Sequence, residues 1–381
     1  MQRSPVLASL PTYPFVRLEE AKRRRAESGV RILDFGVGDP REPAPASVRE
    51  ALVEALDETF GYPKAHGLPE LRGAVAQWCG RRFGVELDPG REVIPTLGSK
   101  EAIFSFAQAL VDEESPKDLV VTTTPGYPVP DTGARFARAE LLQLPLLPAN
   151  GFLPQLEVLD EGTLRRLAIL WVNYPNNPTG AVAPLPLLER LASLASEHDF
   201  ILASDEAYSE IYFGEPPPSA LQVSDRSHVV VFNSLSKRSS MTGYRSGFVA
   251  GAAPVLDALR AFRPTVGTAP QEFVQRAAVA AWNDETHVVA MRERYAGKRA
   301  LLLDAFARAG LRVAASEATL YLWVEAPEGS SESFADRLLE HGIVVAPGAY
   351  FGPAGEGYVR FALVPSEAEC RATAELLPEI V

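Results

Sequence analysis

Short apolar runs alternate with longer stretches of helical period through the middle of the chain. EVIPTLG (92–98), DLVVTTT (118–124), AILWVN (168–173), FILASDE (200–206), HVVVF (228–232) and GFVAG (247–251) are brief and mostly apolar, the pattern of buried strands. KEAIFSFAQALV (100–111) and PLPLLERLASLASEH (184–198) place apolar residues at helical spacing. The second has proline near its start, where a helix has no use for the missing N–H. Strands that are apolar throughout are covered on both faces, and their alternation with helices predicts an α/β fold with a mostly parallel sheet between helices.

The two ends read differently. After about residue 270 comes a long helical pattern, EFVQRAAVAAWNDETHVVAMRERYAGKRALLLDAFARAG, then short strands YLWVE (321–325), IVVAP (343–347) and YVRFALV (358–364). This predicts a smaller α+β domain. The first 40 or so residues hold too little apolar surface for a core of their own and are expected to pack on it. The expected division is 1–45 for the N-terminal segment, 46–272 for the large domain and 273–381 for the small one.

With 381 residues, 46% of them hydrophobic and 23% charged, the chain is long enough for two cores. A net charge of -12 argues against nucleic acid and anionic membranes, which need a basic face. The single basic run, Lys22 to Arg25, sits in LEEAKRRRAES and reads as a solvated helix face. Two cysteines, Cys79 and Cys370, without a C-x-x-C or histidine cluster, argue against a disulfide framework or a zinc site. MQRSPVLASLPTYPF lacks the apolar core of a secretion signal, and no apolar run approaches the roughly 18 residues of a membrane span. A cytoplasmic protein is expected.

Open parallel sheets bind ligands at the C-terminal ends of their strands, and the polar oddities of this chain fall there. LGSKEA opens a helix whose N–H groups could hold an anion, or is an ordinary turn with Ser99 as N-cap. NYPNNPTG (173–180) reads equally as a tight turn or as asparagines offered to a ligand. Asp205, in SDEAY, ends a buried run and needs a cation, hydrogen bonds or a capping role, because an isolated buried carboxylate is costly. Lys237 lies among Ser234, Ser236, Ser239 and Ser240, with Arg245 eight residues on, and arginine's planar fork suits a phosphate. No G-x-G-x-x-G or Walker A pattern suggests a nucleotide. An anion seat, a buried acid and a lysine together meet the needs of pyridoxal phosphate.

GVGDP, GYPKAHGLPELR, PGYP, NYPNNPTG, SDEAY, SLSK followed by YRSG, and YVRFALV occur in that order. The chain thereby resembles the class I aminotransferases among the fold-type I pyridoxal-phosphate enzymes, over nearly its whole length. TYPFVRLEEAKR, SKRSSMTGYRSGFVAG and AAWNDETHV add a closer resemblance to bacterial N-succinyldiaminopimelate aminotransferases.

The resemblance implies roles. Lys237 matches the Schiff-base lysine that moves a proton, Asp205 the partner of the ring nitrogen, and Tyr208 and Asn177 the groups on the ring hydroxyl. Tyr127 matches the stacking aromatic. Ser99, Ser234 and Arg245 match phosphate contacts, joined by Lys100 and Ser236. Tyr62 matches a tyrosine reaching the phosphate from a neighbouring subunit in a homodimer with shared sites. Arg360 matches the clamp on the substrate α-carboxylate, and Gly38 the loop over the substrate. Arg263, in FRPTVGTAP, aligns where an arginine crosses from the partner subunit to a distal carboxylate, and reads equally as a surface residue at a helix end. The implied reaction is ping-pong transfer from N-succinyl-LL-2,6-diaminopimelate to 2-oxoglutarate in lysine biosynthesis. Aspartate- or aromatic-type transfer and a carbon–sulfur β-lyase are the rivals. A pyridoxal-phosphate-sensing regulator fits poorly, since the acidic chain has no spare segment for a DNA-binding domain.

Overall fold

The computed structural model describes residues 3–10, 14–57, 61–112 and 114–381. The Thr12-Tyr13 start of TYPFVRLEEAKR lies outside them.

Seven strands form the large sheet, in the order Val93–Thr96, Gly247–Gly251, Val229–Ser234, Ile201–Asp205, Leu167–Asn173, Leu119–Thr124, Glu140–Pro145. All neighbours are parallel except Gly247–Gly251, which runs antiparallel to both of its own. The exception follows from chain length. Only residues 235–246 join it to Val229–Ser234, and they hold two short helical turns, Leu235–Arg238 and Thr242–Tyr244, rather than a crossover helix long enough for a parallel return. Those residues carry Lys237.

Successive strand residues feed opposite faces. Val121, Leu170, Val172, Leu202, Val231 and Phe248 pack under the helices Pro69–Phe83, Leu185–His198 and Glu272–Asn283. Val120, Ile169, Trp171, Ala203, Val230 and Phe232 pack under Ser99–Leu110 and Ala253–Thr265. This two-sided burial is why the strands read as unbroken apolar runs.

The small domain holds a four-stranded antiparallel sheet in the order Ala346–Pro347, Tyr358–Ala362, Tyr321–Glu325, Val313–Ala315. Thr286–Arg308, Ser331–Glu340 and Glu367–Ile380 are its helices. Leu33–Asp34 pairs in parallel with Ile343–Val344, and Leu33 and Phe35 join the small-domain core, while Phe15 and Ala44 of the same segment pack against the large-domain core.

The expected boundary after residue 272 needs correction. The helix Glu272–Asn283 belongs to the large core through Ala277, Ala278, Ala281 and Trp282. Trp282 sits 4.7 Å from Trp78 and 5.3 Å from Phe248, ring centre to ring centre. The small domain therefore starts with Thr286–Arg308, and the long helical pattern is broken at Asp284 and Glu285. Among the described residues no helix is long and apolar enough to cross a membrane, and no cluster of ligating side chains could hold a metal.

Trp282 also bears on the reactive loop. The guanidinium of Arg238, next to Lys237, lies 4.8 Å from the Trp282 ring centre and donates to the Ala281 carbonyl at 2.7 Å. Trp282→Ala is expected to cost about 3–5 kcal/mol in denaturant unfolding. A loss below about 1 kcal/mol would show that this helix does not belong to the large core.

Candidate active site

A cavity of about 360 Å³ opens at the C-terminal ends of the parallel strands. The small sheet contributes Tyr321 and Arg360 to its walls, and the N-terminal segment contributes Phe15, Gly38 and Asp39.

The floor is set by strand register. Asn173 stands beside Asp205, and Asp205 beside Phe232, on adjacent parallel strands. Asp205 is 6% exposed, and its Oδ1 accepts one N–H, from Ala207, at 3.2 Å. Burial pushes this carboxyl up to about 7, against a small opposing effect of that bond. The N-cap alternative fails, because residues 207–210 form a turn rather than a helix. The neighbouring Glu206 is buried too and is likewise pushed up to about 7, chiefly by desolvation.

Lys237 rides on the single helical turn Leu235–Arg238, which Ser234 caps through its Oγ and the Ser236 N–H at 3.1 Å. Its ammonium donates to the Gly38 carbonyl. Desolvation lowers its pKa, and the positive charges of Arg360 and Arg245 add to this, while Tyr321 and Asp39 oppose it. Burial thus makes the amine easier to deprotonate than an exposed lysine.

Ser99, Lys100, Ser234, Ser236 and Arg245 line one end of the cavity. Ser99 is the first residue of the helix Ser99–Leu110, and Gly98, with φ of 73°, takes the N-cap position expected of Ser99. Arg245 is held by the Thr242 carbonyl at 2.7 Å and the Leu97 carbonyl at 3.2 Å, with Nη1 3.4 Å from Ser236 Oγ. A Cβ at position 98 would come within 2.5 Å of Arg245 Nη2, so glycine is what lets the arginine lie across the helix start. Helix N–H groups, hydroxyls and a guanidinium together make an anion seat.

Arg360 is 3% exposed in the opposite wall. It donates to Asn177 Oδ1 at 2.8 Å and to the Gly36 carbonyl at 2.9 Å, and lies 4.1 Å from the Tyr321 ring centre. Asn177 is itself fixed, its N–H donating to Asn173 Oδ1 at 2.8 Å. The hydroxyls of Tyr208 and Tyr321 are 2.8 Å apart. Gly38 packs over Tyr321 so closely that a Cβ there would fall 2.1 Å from its hydroxyl oxygen. Tyr127 lines the same cavity, whereas Tyr62 is fully exposed and does not.

Arg263 is a correction. It is neither a surface residue nor a crossing one. It is 2% exposed, pairs with Glu101 at 2.7 Å and donates to the Pro95 carbonyl at 3.2 Å, all within its own chain. Moving it out would strand Glu101 and desolvated N–H groups. Sequence reasoning in turn missed Tyr321, Phe15 and Asp39. Tyr321 was hidden as the first residue of an apolar strand, and Asp39 lay inside a quoted motif without a role.

The donor set fits pyridoxal 5′-phosphate. A buried carboxylate with one backbone bond calls for a cation such as a protonated ring nitrogen. The anion seat lies in the same cavity, and an amine of lowered pKa lines it too. Asp205 would hold the ring nitrogen, Tyr208 and Asn177 the ring hydroxyl, and Ser99, Lys100, Ser234, Ser236 and Arg245 the phosphate.

The family model described as aminotransferase class I and II matches residues 30–377. The LL-diaminopimelate aminotransferase of Aquifex aeolicus is 42% identical over 369 residues, covering 95% of each chain. That of Moorella thermoacetica is 39% identical over 388 residues, covering 100% of this chain and 99% of the other. Among solved structures, Thermus thermophilus aspartate aminotransferase with maleate has a TM-score of 0.91 at 32% identity, covering 100% of both chains. A probable N-succinyldiaminopimelate aminotransferase, also of Thermus thermophilus, has 0.90 at 34%, covering 96% of this chain and 100% of that one.

The Asp205 carboxyl yields a pH dependence. Its ordinary value is 3.8, so the folded chain holds this proton more tightly than the unfolded one does. Stability must then fall as pH rises from about 4 through 7, and level off above. In the cofactor-free protein, Asp205→Asn is expected to raise Tm at pH 8 by about 2–5 °C and to leave it nearly unchanged at pH 4. Glu206 would keep part of the slope. An Asn variant less stable than the native chain at pH 8 would refute a buried, unpaired Asp205.

Proposed function

The chain belongs to the class I and II aminotransferases, which depend on pyridoxal 5′-phosphate, and on that premise we propose that it moves an amino group between LL-diaminopimelate and 2-oxoglutarate, on the route to lysine. What carries the substrate choice is full-length likeness to relatives named for LL-diaminopimelate, at 42% and 39% identity. They displace the succinylated substrate that the sequence motifs suggested. One solved relative, at 34%, is described as a probable user of the succinylated form, which makes that compound the comparison to run.

Bound in the cavity, pyridoxal phosphate supplies an electron sink and a carrier for the nitrogen. The chain supplies the rest. Arg360 clamps the substrate α-carboxylate with its fork already aligned by Asn177 and Gly36, so little reorganisation is needed. That carboxylate fixes the α-carbon relative to Lys237. Lys237, its ammonium disfavoured by burial, takes the proton from the α-carbon and returns it to the other reacting carbon. Asp205 is ionised when it faces a cation, and its charge, worth most in a desolvated site, keeps the ring nitrogen protonated. Phe15, Tyr321 and Phe351 around Arg360 exclude water from the clamp.

The proposal extends to a homodimer in which Tyr62 of one copy serves the phosphate seat of the other. Its full exposure in a single chain fits that use.

The direct experiment supplies 2-oxoglutarate with LL-diaminopimelate, N-succinyl-LL-diaminopimelate, aspartate or phenylalanine, and measures glutamate or, with aspartate, oxaloacetate. LL-diaminopimelate is expected to give a kcat/KM at least about tenfold above the others, roughly 1.4 kcal/mol. A profile led by the succinylated or an aromatic donor would refute the substrate choice. Borohydride should fix the cofactor to the peptide holding Lys237, and Lys237→Ala should bind cofactor without turnover. Label on another lysine would refute the site.

A further inference from the structure

One carboxylate in the cavity has no part in the reaction described above. Asp39 follows Gly38 in a tight turn, its N–H donating to the Val37 carbonyl at 2.9 Å. Its side chain lines the cavity together with Lys237, Tyr321 and Arg360, close enough that its charge favours the Lys237 ammonium. It has no ion-pair or hydrogen-bond partner for its carboxylate among the described residues. The other charged lining groups are assigned: Asp205 to the ring nitrogen, Lys100 and Arg245 to the phosphate, Arg360 to the α-carboxylate.

A bare carboxylate is a poor wall for the distal carboxylate of a seven-carbon dicarboxylic amino acid, whose chain runs two carbons beyond that of 2-oxoglutarate. It repels a distal carboxylate brought against it: Asp39 itself is exposed at the cavity mouth, and like charges at close range oppose binding even there. The repulsion is offset when the substrate brings a cation to the same end. LL-diaminopimelate does so, since its distal carbon bears an ammonium beside the carboxylate. An N-acylated form has an uncharged amide there, and 2-aminopimelate has only hydrogens.

We infer that Asp39 reads the distal ammonium of the diamino substrate and thereby sets the preference for free over N-acylated diaminopimelate. This rests on the substrate class proposed above. It makes the N-terminal segment the source of side-chain specificity, while strand and loop residues of the large domain hold the cofactor. Asp39 touches substrate but moves no proton.

The experiment compares LL-diaminopimelate, N-succinyl-LL-diaminopimelate and 2-aminopimelate as donors to the holoenzyme, native and Asp39→Asn. In the native enzyme kcat/KM for LL-diaminopimelate should exceed that for 2-aminopimelate by at least about tenfold. In Asp39→Asn that ratio should fall about tenfold or more, through KM, as a charge-assisted hydrogen bond is lost. Asp39→Glu should restore part of it. Calorimetry with LL-diaminopimelate and 2-aminopimelate on cofactor-loaded Lys237→Ala, with and without Asp39→Asn, should show the same selective loss in affinity without turnover. If Asp39 only tunes Lys237, all donors fall together in kcat and their ratios hold, which overturns the inference and leaves the proposed function standing. If the native enzyme does not use LL-diaminopimelate, the proposed function fails and this inference with it.

Discussion

A carboxylate at the end of a buried strand governs this structure. Asp205 is desolvated because the sheet is covered by helices on both faces, and the same covering makes its neighbours apolar. One backbone N–H is not enough to keep it charged near neutral pH. The fold therefore holds an acid that needs a cation, and a cofactor with a protonated ring nitrogen provides one. Stability lost in the empty protein becomes binding and electronic control in the loaded one.

The other parts of the site are arranged around that point by backbone geometry. The short connection 235–246 forces an antiparallel strand and leaves Lys237 at the strand ends. Arg238, packed against Trp282 and the Ala281 carbonyl, anchors the turn from below. The N-terminal segment closes the ring of contacts. Gly38 accepts from Lys237, and Gly36 accepts from Arg360 of the small sheet. Both domains and the N-terminal segment thus meet at the reactive groups.

The large domain was readable because its strands are buried on both faces, so hydrophobicity alone marked them. GFVAG was placed at 247–251, where the strand lies. Glu140–Pro145 escaped because it is an edge strand, only partly buried, with glutamate and glutamine in it. IVVAP was read as one strand, yet Ile343–Val344 and Ala346–Pro347 pair with different partners. Lys237, Asp205 and Arg245 are legible as chemistry because charge beside the end of an apolar run is conspicuous, whereas Arg360, in the middle of Tyr358–Ala362, is assigned through the family resemblance alone. Arg263 was misread because its partner, Glu101, lies 162 residues away, and pairing at that distance leaves no local mark. Tyr321 was misread for the opposite reason, since its aromatic ring suits a strand so well that its hydroxyl drew no notice.

The central assignment is the charge state of Asp205. Infrared difference spectra of the protein at pH 6.5, before and after loading with pyridoxal phosphate, report it through the stretch of a protonated carboxyl group. Loading should remove one such band from the native protein, and Asp205→Asn should show no corresponding change. A native band that persists on loading, or one that disappears equally from the Asn variant, would mean that Asp205 does not exchange its proton for a cationic partner.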